Sequence, residues 1–149
     1  MAVKQISVQE AHALQQEGCT YVDVRSTEEF ERGHPAGAVH VPLLDRDEDT
    51  GQFAPNPDFM RVMKAAFAPD TKLLIGCQAG GRSLRAAQML SSFGFDDVSN
   101  VRGGFGGAHD PMSGRVVDAG WEELGLPVDS GRPPGRCYSD LVARADTDQ

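Results

Sequence analysis

Short β-rich runs alternate with helical segments that carry their own start and stop signals, and this alternation restricts the chain more than any other feature. Ser7-Val8-Gln9-Glu10 has the form of a capping box, in which a serine and a glutamate three residues on satisfy each other's backbone N–H groups. It predicts a helix over 8–17, stopped by Gly18. Residues 20–24 read as a strand. Ser26-Thr27-Glu28-Glu29 is a second capping box, opening a short helix that ends near Gly33. A further strand is expected at 38–41, and the acidic stretch 42–55 reads as an exposed loop. Asn56-Pro57 suits a helix start, with proline in the first helical position, and that helix runs to about Ala68. A compact apolar strand follows at 72–75, then a helix at 83–93 closed by Gly94, then a strand at 98–101. The glycines of 103–107 interrupt regular structure, and 121–124 reads as a short helix. From Ser130 the chain is polar and is expected to pack loosely or be disordered at its end. Strands alternating with helices imply an α/β fold with a mainly parallel sheet of about five strands and helices on both faces. Functional sites in such folds form at the C-terminal ends of strands.

One strand-to-helix junction stands out. Gly76-Cys77-Gln78-Ala79-Gly80-Gly81-Arg82 joins the 72–75 strand to the helix that starts at Ser83. A helix N-terminus offers unpaired N–H groups and the positive end of a dipole. Glycines let such a loop curl into an anion nest, and Arg82 adds a full charge. All of these favour thiolate over thiol, whereas a free cysteine with a pKa of about 8.5 is only slightly ionised at neutral pH. A lone cysteine in a chain is usually a small buried hydrophobe. The glycines, the arginine and the helix start together move Cys77 from that class to the class of reactive nucleophiles.

Composition excludes several alternatives. A net charge of −8 over 149 residues argues against non-specific binding to nucleic acid or to an anionic membrane. Neither a signal peptide nor a run of about 20 apolar residues is recognisable, so the expected compartment is the cytoplasm. Three cysteines (Cys19, Cys77, Cys137) make no disulfide framework, and the four histidines lack metal-ligand spacing. No metal or cofactor is expected.

The loop Cys77-Gln78-Ala79-Gly80-Gly81-Arg82-Ser83 resembles the Cys-x-x-Gly-x-Arg-Ser form of the rhodanese family. Upstream, Asp23-Val24-Arg25, Glu29-Phe30 and Gly33-His34 are similar to that family's N-terminal signature; downstream, Val101-Arg102-Gly103-Gly104, Trp121 and Gly125-Leu126-Pro127 resemble its C-terminal pattern. The resemblance covers roughly residues 5–129, and several ordered motifs are more specific than the loop alone. It is nearest to the short plant and bacterial single-domain members. Two departures stand out: Gly33-His34-Pro35-Ala36-Gly37-Ala38 rearranges the family's turn, and 105–120 is longer than the usual link. The implied division is a rhodanese domain at 1–129 with an insertion at about 105–120, and a polar tail at 130–149.

The resemblance implies a thiosulfate sulfurtransferase that forms a persulfide on Cys77 and passes its sulfur to cyanide, a thiol or a protein acceptor. Arg82 is implied as the second catalytic residue, contacting a small anionic donor such as thiosulfate. Gln78, Ala79, Gly80, Gly81 and Ser83 are expected to present N–H groups to the persulfide, with Arg25 and Arg102 on the same rim. Asp23, Glu29 and His34 are expected as structural neighbours: Asp23 as an acceptor, Glu29 or another acid as the ion-pair partner of Arg25, His34 shaping a turn. Two other readings stand beside this one. A phosphatase or arsenate reductase of the same fold needs Cys-x5-Arg, whereas Arg82 comes one position earlier. A non-enzymatic binding module would often lack the cysteine, whereas a sulfur carrier acting only on a dedicated protein partner would keep it and still form a persulfide. No nucleic acid or membrane partner is expected, and the chain is read as a monomer or homodimer.

Overall fold

Alternation along two neighbouring strands sets the layers of the fold. Tyr21 and Leu74 belong to one buried cluster, while their chain neighbours Val22, Leu73 and Ile75 belong to another. Successive side chains of a strand point to opposite faces, so a sheet apolar on both faces must be covered twice. The computed structural model describes residues 3–147 and shows how. The chain runs β1 (Lys4–Ile6), α1 (Val8–Gln16), β2 (Thr20–Asp23), α2 (Thr27–Arg32), β3 (His34–Pro35), β4 (Val39–His40), β5 (Leu44–Arg46), β6 (Phe53–Pro55) and α3 (Phe59–Ala66). It continues through β7 (Lys72–Gly76), α4 (Gly81–Ser92), β8 (Asp97–Val101), β9 (Ala108–His109), β10 (Val116–Asp118), β11 (Val128–Asp129) and α5 (Tyr138–Thr147).

The central sheet has five strands in the order β1-β8-β7-β2-β4, and every pairing in it is parallel. One face packs on α3, α4 and α5 through Val62, Met63, Ala86, Ala87, Leu90 and Leu141. The other packs on α1 and α2 through Val8, Ala11 and Phe30, with Trp121 fully buried beside them. Thus α2 leaves β2 toward one face and α4 leaves β7 toward the other. The C-terminal ends of these adjacent strands therefore form a switch point, where an α/β sheet opens a crevice.

Both capping boxes are present: Ser7 with Glu10, and Ser26 with Glu29. Several expectations are corrected. The 42–55 stretch is not simply a loop: β5 and β6 pair antiparallel, around a turn in which Asp47 accepts from the N–H groups of Asp49 and Thr50. The helix expected from Pro57 begins at Phe59. Residues 121–124 make a hydrogen-bonded turn instead of a helix, Leu124 N–H bonding to the Gly120 carbonyl at 3.1 Å. His34 does not merely shape a turn: it sits in β3, paired with β11, and is fully buried. The segment from Ser130 is not loose. It ends in α5, whose Leu141 and Ala145 enter the core, and Tyr138 and Asp146 meet Asn56 and Arg61. Residues 148–149, part of the expected tail, lie outside the described residues.

The packing of α5 has a measurable consequence. Leu141→Ala removes a buried side chain, so unfolding free energy should fall by about 2–5 kcal/mol. Urea denaturation checks this; a loss under ~0.5 kcal/mol would mean that α5 is not part of the core.

Candidate functional site

Cys77 follows the last residue of β7, and Gly80 turns the chain into α4. Gly80 is the N-cap of that helix and adopts φ +111°, a left-handed conformation open chiefly to glycine. The turn brings the Gly80 N–H to 3.1 Å from Cys77 Sγ. Gly81, Arg82 and Ser83 form the first turn, where helix geometry leaves N–H groups without an intrahelical acceptor. Of the loop residues expected to face the sulfur, Gly80 alone hydrogen-bonds it among the described residues; Gln78, Ala79 and Gly81 are exposed. The thiol is 2% exposed and packs in the core cluster of the α3–α5 face.

The other side of the loop is held by the segment after β8. Phe105 N–H bonds to the Cys77 carbonyl at 2.8 Å, and Gly106 N–H to the Gln78 carbonyl at 2.9 Å. This close approach needs glycine. Gly104 has φ +53°, and a Cβ there would collide with the Cys77 carbonyl.

The arginines divide into three roles. Arg25, 3% exposed, forms an ion pair with Asp23 at 2.7 Å, so of the partners the sequence left open, Glu29 or another acid, it takes the other acid. Its guanidinium also donates to the Gly33 carbonyl at 2.6 Å and to Gln78 Oε1 at 3.2 Å, and lies 4.5 Å above the Phe105 ring. Asp23 additionally accepts from the Arg25 backbone N–H at 3.0 Å. Glu29 belongs to Arg82 instead, through contacts at 2.7 and 3.1 Å in a forked pair. Both terminal nitrogens of Arg82 are therefore committed within the protein. Arg102 has its Cα beside Gly80 of the loop, and its guanidinium reaches Asp118 at 3.8 Å. Of the three arginines, Arg25 alone lines the cavity described below.

Ser83 is also redirected. Its hydroxyl is buried and bonds to Asn100 Oδ1 at 2.6 Å, and Asn100 bonds in turn to Gln5 at 2.9 Å. Its side chain pins α4 to β8 and β1. His34 stacks on Phe30 at 3.7 Å between ring centroids, with His40 stacked at 4.4 Å from the same ring. His34 Nδ1–H donates to the Phe30 carbonyl, and His40 Nε2–H donates to the Arg25 carbonyl. Burial lowers the pKa of both imidazoles below the usual histidine value. They support the floor under Arg25.

A cavity of about 450 Å³ opens beside the loop, lined by Arg25, Glu29, Arg32, Gly33, Gln78, Phe105, Glu122 and Val128. Arg32, Phe105 and Glu122 carried no sequence signal of their own; only the glycines flanking Phe105 hinted at a close approach. A second cavity, of about 370 Å³, lies between Phe30, His40, Cys137 and Tyr138, and no residue of the Cys77 loop lines it. Cys137 is buried there, with Sγ 3.5 Å from the Ser139 hydroxyl. Among the described residues no group of His, Cys, Asp and Glu side chains could hold a metal ion, and no helix is long and apolar enough to cross a membrane.

The arrangement presents a cysteine sulfur to an N–H donor at a helix start, with a polar cavity at its side. It suits covalent group transfer through sulfur. The rhodanese-like domain family matches residues 7–109. Among curated proteins, the chain is 35% identical over 123 residues to thiosulfate sulfurtransferase 16, chloroplastic, of Arabidopsis thaliana, covering 83% of this chain and 90% of that one. It is 34% identical over 124 residues to the senescence-associated protein DIN1 of Raphanus sativus, and there the matched region spans 83% of this chain but only 60% of the relative's length. Its fold is similar to the crystal structure of Rv0390 from M. tuberculosis, with a TM-score of 0.70 at 24% identity, covering 88% of this chain and all of that one.

Two outcomes follow from this geometry. Burial pushes the Glu29 carboxyl up, but hydrogen bonds and charge from Arg82, helped by Ser26, overcome that and bring its pKa down to about 2. A carboxyl depressed on folding adds stability above its ordinary value of 4.5, and that contribution is lost as pH falls through about 2. NMR titration should find Glu29 still ionised near pH ~3, whereas Arg82→Gln should raise its midpoint, the Ser26 hydrogen bonds alone then opposing burial. A wild-type midpoint near 4.5 would refute the pairing. Separately, Gly104→Ala should cost about 1–3 kcal/mol of stability by strain at positive φ and collision with the Cys77 carbonyl; an unchanged urea midpoint rules that out.

Proposed function

The chain belongs to the rhodanese-like domain family, and from that membership we propose that it is a thiosulfate sulfurtransferase working through a persulfide on Cys77. The observation that carries the reading is the Gly80 N–H directed at Cys77 Sγ at 3.1 Å, at the mouth of α4. Such a donor stabilises negative charge on sulfur wherever it develops.

In the first half-reaction, Cys77 Sγ attacks the outer sulfur of thiosulfate. A new S–S bond forms, the old one breaks, and sulfite leaves with the electron pair. In the second, cyanide, a thiolate or a protein thiolate attacks the outer sulfur of the persulfide. The Sγ–S bond breaks and its electron pair returns to Cys77. Ping-pong kinetics are the expected fingerprint.

The residues take distinct parts. Gly80, with the free N–H groups of Gly81 and Arg82, holds the persulfide. Arg82 acts through its field and braces the loop against Glu29, because its fork is already occupied. Arg25 also has its donors occupied, and a donor oxygen reaches its Nη1 only by displacing Gln78 Oε1, whose contact at 3.2 Å is the longest of its hydrogen bonds and lies on the cavity wall. The catalytic domain in this reading is 1–129 with its insertion at 105–120, and α5 is a packed extension. Three cysteines without disulfides support a reducing compartment such as the cytoplasm.

Intact mass tests the proposal. Thiosulfate treatment should add one sulfur, about 32 Da, to the wild type, and cyanide should remove it, because the intermediate is covalent. Cys77→Ser should gain nothing. Sulfur loading that survives this substitution would overturn the assignment.

A further inference from the structure

Four charged side chains line the cavity beside Cys77: Arg25, Glu29, Arg32 and Glu122. Two are neutralised inside the protein, Arg25 by Asp23 and Glu29 by Arg82. Arg32 and Glu122 are exposed, and among the described residues neither has an ion pair or side-chain hydrogen bond, with each other or with any other group. The mouth of the site thus offers one free cation and one free anion.

Both are anchored to the reactive loop by backbone. Glu122 N–H bonds to the Phe105 carbonyl at 3.0 Å, and Phe105 N–H bonds to the Cys77 carbonyl at 2.8 Å. Arg32 is the last residue of α2, and the next residue, Gly33, gives its carbonyl to Arg25 at 2.6 Å. The backbone positions from which the two side chains reach the cavity are therefore tied to the network that sets Cys77.

A purely anionic donor has no use for Glu122, which repels it. A molecule with a carboxylate and an ammonium group satisfies both charges at once. We propose that the sulfur acceptor is a small thiol carrying an α-amino-acid group, its carboxylate on Arg32 and its ammonium on Glu122. The inference rests on the sulfurtransferase reading above and names the substrate of its second half-reaction. The acceptor thiolate attacks the outer sulfur of the Cys77 persulfide, the Sγ–S bond breaks toward Cys77, and the product is the acceptor's persulfide. A cavity of about 450 Å³ has room for such a head group. Arg32 and Glu122 are then residues that select the acceptor, distinct from the sulfur chemistry itself.

Steady-state transfer from thiosulfate to four acceptors tests this: cysteine, 3-mercaptopropionate (no ammonium), cysteamine (no carboxylate) and cyanide. Compared per thiolate, cysteine should exceed each truncated thiol in kcat/KM by about fivefold, the scale of one exposed charge pair. Arg32→Gln should lower the rates for cysteine and 3-mercaptopropionate and leave cysteamine unchanged. Glu122→Gln should lower cysteine and cysteamine and leave 3-mercaptopropionate unchanged. Cyanide should stay within about twofold throughout, because it lacks both groups. Equal use of the three thiols, or variants that depress all four acceptors alike, overturns the inference while the cyanide reaction keeps the sulfurtransferase reading intact. Failure to transfer to cyanide, with no persulfide on Cys77, overturns both.

Discussion

A guanidinium buried to 3% exposure must have its donors met, and Arg25 meets them from several directions. Asp23 takes the charge, the Gly33 carbonyl and Gln78 Oε1 take further N–H groups, and the Phe105 ring covers the face. These partners come from the end of β2, the end of α2, the Cys77 loop and the segment after β8. Removing one partner of such a buried pair typically costs about 3–5 kcal/mol. That penalty holds four otherwise separate chain segments in one arrangement around the cavity, and the walls of the site depend on it.

Around this centre the reactive loop is short and tightly bounded. Gly80 supplies the left-handed turn that brings its own N–H to Cys77, and Gly104 supplies the close approach that braces the loop from behind. Arg82 and Glu29 close the remaining side, and the low pKa of Glu29, about 2, reflects how firmly that pair is set. A cysteine so confined needs little movement to exchange one sulfur partner for another. A loop one residue longer between cysteine and arginine, as in Cys-x5-Arg, would enclose a wider space. The mixed charge left at the cavity mouth then bears on which molecule arrives, and the loop on what happens to it.

How much was legible in the sequence depended on the range of the interaction. Capping boxes join residues three apart, so Ser7–Glu10 and Ser26–Glu29 could be read directly and both helices stand where they were expected. Four β-rich runs alternating with helices sufficed for a parallel sheet. Edge strand β1, only three residues long, carried no pattern of its own and exists because β8 pairs with it. The hairpin of β5 and β6 was hidden by its acidic composition, which suits an exposed loop equally well. In the 130–147 segment, Leu141 and Ala145 are too few to signal burial until α3 supplies the surface they pack against.

By itself the sequence determined the α/β class, the strand–loop–helix setting of Cys77 and the glycines that let the loop curl, because each rests on neighbours a few residues apart. Only the tertiary structure decided which acid each arginine takes. Glu29 and Arg82 are 53 positions apart, and Arg25, much nearer to Glu29, pairs with Asp23 instead. Charge pairing is nondirectional along the chain, and a buried guanidinium goes to the carboxylate whose geometry also satisfies its remaining donors. For the same reason, no local pattern could have brought Arg32 and Glu122 to one cavity.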